Sequence, residues 1–361
     1  MSDSTAIHIS ATGLADFVTD IFERAGCSPA EARRIADNLV EANLTGHDSH
    51  GVVRVQRYVL WVGADVVKAD QELEMIMDGG AMALVSGQFG FGQTIGPLAV
   101  DLGIERCREH GLAAVALRHS GHLGRIGAFA ERAAAADLVS MHIVNVANSR
   151  LVAPFGSMKR RMGTNPYAFG VPRAGQRPIV HDFATSIVAE GKAAVAAQGG
   201  PPLRDDALVG PDGLTGDPSV FYGKITPGER PKSLDGPGAL RAMGDHKGSG
   251  LSVMCELLAG CLTGSGTAGP DEVPFCNGML SIYIDPERLD VDDTFAADVA
   301  SWAGWYLDAE PLDASAPVLL PGDIEHQRRT ERTANGLDLP TDLWLSICNA
   351  ADRVGAPIPA V

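Results

Sequence analysis

SGQFGFGQTIG, residues 86–96, is the stretch whose reading decides the fold. It leaves an apolar run, AMALVSG (81–87), that reads as a strand, and it leads into a helical pattern over 94–109. A dinucleotide-binding turn would show G-x-G-x-x-G opening that helix, with an acidic residue about 20 positions on. Here the glycines at 87, 90, 92 and 96 are spaced differently, and no strand-end acid follows at that distance. No G-x-x-x-x-G-K-[ST] occurs either. The segment reads as a glycine-rich turn. If this chain binds a nucleotide, another architecture does it.

On the N-terminal side the pattern is helical. Leu14, Phe17, Val18, Ile21, Phe22 and Ala25 fall on one face of a helix over 12–25, which Gly26 stops. SPAE (28–31) is a capping box, with Ser28 capping and Glu31 reaching back. The helix that follows keeps Ile35, Ala36, Leu39 and Val40 together until the polar Asn43 ends the stripe. A third helical stretch begins near Gly51, with Val55, Tyr58, Val59 and Val62 as its apolar positions. GHDSHG (46–51) is the junction between the second and third.

On the C-terminal side strands alternate with helices. LAAVALRHS (112–120), LVSMHIVNV (138–146), RPIVHDFATS (177–186) and GMLSIYIDP (278–286) read as strands. Helical patterns cover 124–136, 186–197 and HKGSGLSVMCELLAGCLTG (246–264), then 293–308, 323–335 and 341–353. Such alternation predicts a sheet covered by helices. The Gly/Pro/Asp-rich stretch 199–245 is too long for an ordinary connection and reads as a lid or excursion.

Composition narrows the class. The 361 residues carry a net charge of −16, which argues against sequence-independent nucleic-acid binding and gives no attraction to an anionic membrane. The first ten residues lack the basic and apolar regions of a secretory signal. No run approaches the ~18 apolar residues of a membrane span. The six cysteines are scattered without C-x-x-C, which predicts buried free thiols in a reducing cytoplasm.

Two H-x-x-H pairs stand out, His47/His50 and His119/His122. Ser49 offers a hydroxyl to orient the His50 imidazole, and Arg54 lies one helical turn beyond it. A guanidinium holds a carboxylate bidentately, and an imidazolium gives a proton to a carbonyl oxygen. Together they suit reduction of a 2-oxo acid. A zinc hydrolase using the histidines with Asp48 and Asp182 is the rival reading, without an H-E-x-x-H to support it.

Seven motifs in order, DSHGVVRVQRY (48–58), HSGHLGRIGAFAERAA (119–134), GTNPYAFGVP (163–172), DFATSIVAEGK (182–192), GDHKGSGLSVMCELLAGCLTG (244–264), NGMLSIYIDP (277–286) and LLPGD (319–323), resemble the malate/L-lactate dehydrogenase family. Ureidoglycolate, sulfolactate and piperideine-2-carboxylate oxidoreductases belong to the same family. The resemblance implies an α+β fold whose nicotinamide-binding domain is not of the Rossmann type. That domain, 77–309, would hold a large mixed or antiparallel sheet, and 1–76 with 310–361 would form a helical domain. It also implies a homodimer, a small anionic 2-oxo or 2-hydroxy acid as substrate, and NAD as cofactor, with NADP possible.

By the same resemblance His50 is the proton donor, Ser49 orients it and Arg54 binds the substrate carboxylate. His122 is the second candidate acid–base. Gly124, Arg125 and Ile126 match a cofactor-contacting turn at a helix start, whose free N–H groups would suit a pyrophosphate. Val180, His181, Asp182, Phe183 and Ala184 match a cofactor-contacting strand end. His246 and Lys247, Asn277, and Gly322, Asp323, Ile324 and Glu325 complete the set. Imine-reducing relatives use an acid after ATS. Glu190 lies in that region and reads as solvated surface, which weakens the cyclic-imine alternative.

Overall fold

The computed structural model describes residues 6–226, 231, 233–270 and 272–360; residues 227–230 and 232 of the predicted excursion lie outside them. The chain opens with β1 (Ile7–Ile9), α1 (Ala11–Arg24), α2 (Pro29–Leu44) and α3 (Val55–Gly63). Next come β2 (Glu74–Asp78), β3 (Met82–Ser86), α4 (Gly92–His110), β4 (Leu112–Ser120), α5 (Gly127–Ala134), β5 (Val139–Val146), β6 (Pro166–Val171) and β7 (Ile179–Ala184). α6 (Glu190–Ala197) follows, and the excursion region holds β8 (Leu208–Gly210), β9 (Gly213–Thr215), α7 (Ser219–Tyr222) and β10 (Ala239–Leu240). The rest is α8 (His246–Cys255), β11 (Asn277–Ile284), α9 (Phe295–Leu307), α10 (Asp323–Asn335), β12 (Leu337–Leu339) and α11 (Thr341–Val354).

The large sheet is mixed, in the order β2-β3-β4-β11-β5-β6-β7. Only β3 and β4 run parallel, joined through α4; the other neighbours are antiparallel. Ile95, Val100 and Phe129 of α4 and α5 pack on Val115, Leu117 and Met279 of one sheet face. Cys255 and Ala259 pack on Ile143 and Tyr167 elsewhere on the sheet. Residues from both ends of the chain share another core, in which Leu14, Ile21, Leu39 and Tyr58 meet Leu337, Trp344 and Ile347. β1 pairs with β12 beside it.

Several local expectations change. Ser28 caps α2, but Glu31 does not reach back to it: Ser28 N–H goes to Asp70 and Glu31 accepts from Asp70 N–H. The third helix starts at Val55, after two 3₁₀ turns at Asp48–His50 and Val52–Arg54. The helix predicted from 186 starts at Glu190. The excursion is a packed subunit of structure rather than a loose loop. Phe221, Tyr222, Leu208 and Leu240 form a small core with Val152, Met162 and Ala194. Arg160 pins it, donating to the carbonyls of Phe221, Leu234, Gly236 and Gly238. Five of the six cysteines are buried; Cys261 is exposed.

The glycine-rich turn does sit between a strand and a helix, but its glycines serve another purpose. Gly87 N–H and Phe89 N–H bond to the carbonyls of Arg118 and His119, and Gly121 N–H bonds to Gly90 O. A Cβ at Gly87 would lie 2.6 Å from Ile95 Cγ2 and 3.1 Å from His119 O, and one at Gly92 would fall on the His122 carbonyl. The turn nests against the chain at 118–123, where a phosphate would have to go in a Rossmann turn.

Candidate active site

GHDSHG is built by the end of α2. Asn43, which ends the apolar stripe, is buried. Its Oδ1 accepts from Val52 N–H at 2.8 Å and its Nδ2 donates to Asp48 Oδ1 at 2.7 Å. A Cβ at Gly51 would overlap the Asn43 amide, so glycine alone fits there. The far side of the junction is braced by one face of α10. His47 Nε2 lies 3.4 Å from Glu325 Oε1, Arg328 packs on Gly46, and Arg332 donates to Asn43 O and to Asp48 Oδ1 at 2.9 Å.

Within this frame the inner members of the two histidine pairs meet. The rings of His50 and His122 are parallel, 4° apart, with centroids at 5.5 Å. Ser49 Oγ is 3.2 Å from His50 Nδ1, and Tyr58 Oη is 2.6 Å from His122 Nδ1. Gln93 Nε2 donates to Tyr58 Oη at 3.2 Å and to His122 O at 3.1 Å. Arg54 Nε donates to Ser49 O at 2.7 Å, which fixes the guanidinium beside the pair. Burial, and then the Arg54 charge, lower His50 to about 3 and hold His122 well below its ordinary value. Both are neutral imidazoles at neutral pH. The outer members go elsewhere: His47 to Glu325, and His119 onto the Phe89 ring at 5.0 Å. Among the described residues no three His, Cys, Asp or Glu side chains gather as metal ligands would.

The other predicted residues divide into those the geometry brings to this cluster and those it does not. Arg125 is buried, paired with Glu131 at 2.5 Å, and close enough to His50 to depress it. Gly124 takes φ +75°, and a Cβ there would lie 2.9 Å from Asn38 Oδ1; Ile126 is buried in the core. The expectation of free N–H groups at this helix start fails at Gly127, whose N–H is taken by Asp182 Oδ2 at 2.8 Å. Burial pushes Asp182 up, while His47 and that N–H pull it back. Val180 N–H bonds to Pro321 O at 3.2 Å, and Gly322, at φ +96°, packs on Val180. His181 stacks on Phe183 at 4.5 Å, and Ala184 pairs with Pro166 across β6. Asp323 pairs with Arg177 at 3.1 Å, and Ile324 is exposed. Asn277 is occupied by the backbone: it accepts from Leu123 N–H at 2.9 Å and donates to Asn145 O at 2.8 Å, so it positions the His122 turn. His246 and Lys247 open α8, with His246 against Phe155 at 6.0 Å rather than on the histidine pair.

Glu190 is not solvated surface. It is half-buried and accepts from Tyr222 Oη at 2.7 Å, and a Cβ at its neighbour Gly191 would lie 3.2 Å from Ser49 Cβ. Tyr58, Gln93 and Asn43 are site residues that sequence reading missed. Tyr58 carried a signal, standing one helical turn beyond Arg54. Gln93 carried none that separated it from the glycines around it.

Residues 9–348 match the malate/L-lactate dehydrogenase family. The hydroxycarboxylate dehydrogenase B of Escherichia coli K12 is 37% identical over 355 residues, 96% of this chain and 94% of that protein. The L-lactate dehydrogenase of Cupriavidus necator is 33% identical, over 97% of this chain and 99% of its own length. The solved structure of Δ1-piperideine-2-carboxylate reductase from Pseudomonas syringae pv. tomato shares 31% identity with a TM-score of 0.79, covering 96% of this chain and 100% of that one.

Proposed function

Because the chain belongs to the malate/L-lactate dehydrogenase family, we propose that it interconverts a 2-hydroxy carboxylic acid and its 2-oxo partner with a nicotinamide cofactor. The observation that carries this reading is the buried parallel pair His50/His122 beside Arg54. Arg54 holds the substrate carboxylate, placing the 2-oxygen at the nitrogen edges of the two imidazoles. His50 gives that oxygen its proton in reduction and removes it in oxidation, with Ser49 keeping the ring oriented. When bound, the cofactor exchanges hydride with the substrate carbon.

The residues present fit a nicotinamide. β7 is an edge of the large sheet, so alternate backbone groups along it have no strand partner. Pro321 takes the Val180 N–H, and Asp182 and Ala184 are the next positions on that edge. They would hold a planar carboxamide close to Arg125 and the histidines. A cavity of about 400 Å³ next to His246 supports an assignment for the adenosine end. It is lined by Phe155, Met158, Leu214, Arg241 and Asp245. Arg241 is already paired with Asp206 at 2.7 Å and Asp245 at 2.5 Å, so a ribose phosphate would meet two carboxylates on one guanidinium. This favours NAD over NADP.

The shared core of the two chain ends supports a helical domain of 1–76 with 310–361 beside a sheet domain of 77–309, except that the first boundary moves ahead of β2, whose Glu74 and Met75 already pair with β3 in the large sheet. Trp302 and Trp305 of α9 are 54% and 73% exposed, with Met75, Ile76 and Met77 of β2 also exposed; both faces support a homodimer. Buried thiols support a reducing, cytoplasmic setting. A second reading, reduction of a cyclic imine carboxylate, is favoured by the half-buried Glu190 beside Ser49.

The test is a screen without added metal. Glyoxylate, pyruvate, oxaloacetate, 2-oxoglutarate, phenylpyruvate, hydroxypyruvate and piperideine-2-carboxylate are offered with NADH and NADPH. Absorbance of the reduced nicotinamide is followed. Oxidation of either cofactor by an oxo acid is expected. Failure with every oxo acid overturns the reading, and turnover of the imine alone replaces it with the second.

A further inference from the structure

We infer that Tyr58 and Gln93 fix His122 as a neutral hydrogen-bond donor through Nε2–H, leaving His50 as the only one of the two histidines that exchanges a proton. This rests on the reading that both imidazoles face the substrate oxygen.

The orientation of Gln93 sets the chain of bonds. Its nitrogen sits 3.1 Å from the His122 carbonyl and 3.2 Å from Tyr58 Oη. Turning the amide over would bring its oxygen against that carbonyl oxygen, so the nitrogen stays where it is. The phenol oxygen therefore already accepts from Gln93. Its own hydrogen goes to His122 Nδ1, 2.6 Å away, its other hydrogen-bond partner among the described residues. A nitrogen that accepts is unprotonated. In a neutral imidazole the hydrogen then lies on Nε2.

The same chain resists a second proton on His122. An Nδ1–H would face the phenol hydrogen, and turning that hydrogen away would cost it its acceptor in a place where Tyr58 and Gln93 are both buried. His50 has a different partner. The Ser49 hydroxyl, 3.2 Å from His50 Nδ1, can accept or donate by rotating. His50 can change charge and keep its bond. Two imidazoles 5.5 Å apart and parallel thus differ in what stands behind them.

The tautomer is read directly from two-bond ¹H–¹⁵N correlations of the histidine rings in the free enzyme at neutral pH, with His122 assigned by its absence in His122→Gln. Nε2–H is expected in the wild type. Tyr58→Phe should give a mixture of tautomers and lower kcat by about 10-fold with KM little changed. Gln93→Leu releases the phenol and the His122 carbonyl without altering a group bonded to the imidazole itself, and should move the same resonances in the same direction. Glutamine at 122 places an amide N–H where Nε2–H stood, so His122→Gln should keep within about 10–100-fold of wild-type kcat, whereas His50→Gln should lose on the order of 10²–10⁴ and at least 10-fold more than His122→Gln. A wild-type His122 carrying its hydrogen on Nδ1 overturns the inference, as does a His122→Gln enzyme as inactive as His50→Gln. An enzyme that turns over no oxo acid removes the functional reading instead, and the spectra still decide the tautomer.

Discussion

Charging His50 should require the substrate. In the free enzyme, burial first and then Arg54, His47 and Arg125 lower its imidazole to about 3. Protonating it at pH 7 costs about 5 kcal/mol, at about 1.4 kcal/mol for each pH unit. A carboxylate docked on Arg54 cancels the second of these causes and brings a negative charge next to the ring, so the imidazole rises when the oxo acid binds. The sign follows for both directions. Hydroxy-acid oxidation needs neutral His50, which the free enzyme already has, so its kcat/KM should be flat in this group from about pH 5 to pH 8. Reduction needs the proton, so log kcat/KM should fall with a slope near −1 across the same window. An oxo acid should also take up close to one proton on binding, read by calorimetry in buffers of different ionisation enthalpy. Arg54→Gln should raise His50 in an NMR titration, yet leave it below about 6.5 because burial remains. A free-enzyme His50 that titrates near its ordinary value, or a reduction rate level up to about pH 6, would refute the reasoning.

Gly51→Ala should drive a methyl into the Asn43 amide and break the bonds to Val52 and Asp48; unfolding in denaturant should show a loss of about 1–3 kcal/mol, and kcat/KM should drop by about 100-fold. Arg332→Ala removes a pair whose side chains are 32% and 56% exposed. Stability should change by less than about 1 kcal/mol, while kcat/KM falls by about 10-fold because the junction loses its brace; unchanged kinetics would separate α10 from the site. His142 is buried between Ser281 and Ser140 and lowered to about 3. Its unfolded value is near 6.5, so the unfolded chain binds the extra proton and stability falls as pH drops from about 6.5 toward 3, by up to about 1.4 kcal/mol per pH unit. Denaturant midpoints at neutral and acidic pH should show less of this loss in His142→Gln.

Much of the fold was legible because periodicity is local. The apolar faces of α1 and α2, the strands at 112–120 and 138–146, and the helices from 323 and 341 all carry their pattern within a single element. What escaped was non-local. The core of the excursion draws Val152, Met162 and Ala194 from outside its own glycine-rich stretch, so composition there read as loop. Glu31 completes a capping pattern in sequence, but Asp70, some 40 residues on, takes the bonds. The same limit applies at the site. Ser49, His50 and Arg54 lie within six residues of one another and were found together, whereas the partners of His122 come from α3 and α4.

The sequence near GHDSHG accounts for only half of how the junction is held rigid. It follows α2, contains one 3₁₀ turn (Asp48–His50) and leads into a second (Val52–Arg54), each too short to be stable alone. Asn43 fixes it from within, and α10, almost 300 residues away, fixes it from outside. α10 buries no side chain fully; it is held by Arg332 on Asp48, Arg329 on Glu41, Arg177 on Asp323 and Glu325 by His47. Such half-exposed pairs contribute little to global stability, but Glu325 and Arg332 on one face of α10 reach different points of the junction, Arg329 reaches α2, and Asp323 at the helix start holds Arg177 just before β7. α10 therefore acts as a template for the junction that carries His50. On the role proposed for His50, local release of α10 should loosen the junction from outside while the sheet stays intact, so activity should be lost before the fold in a denaturant titration.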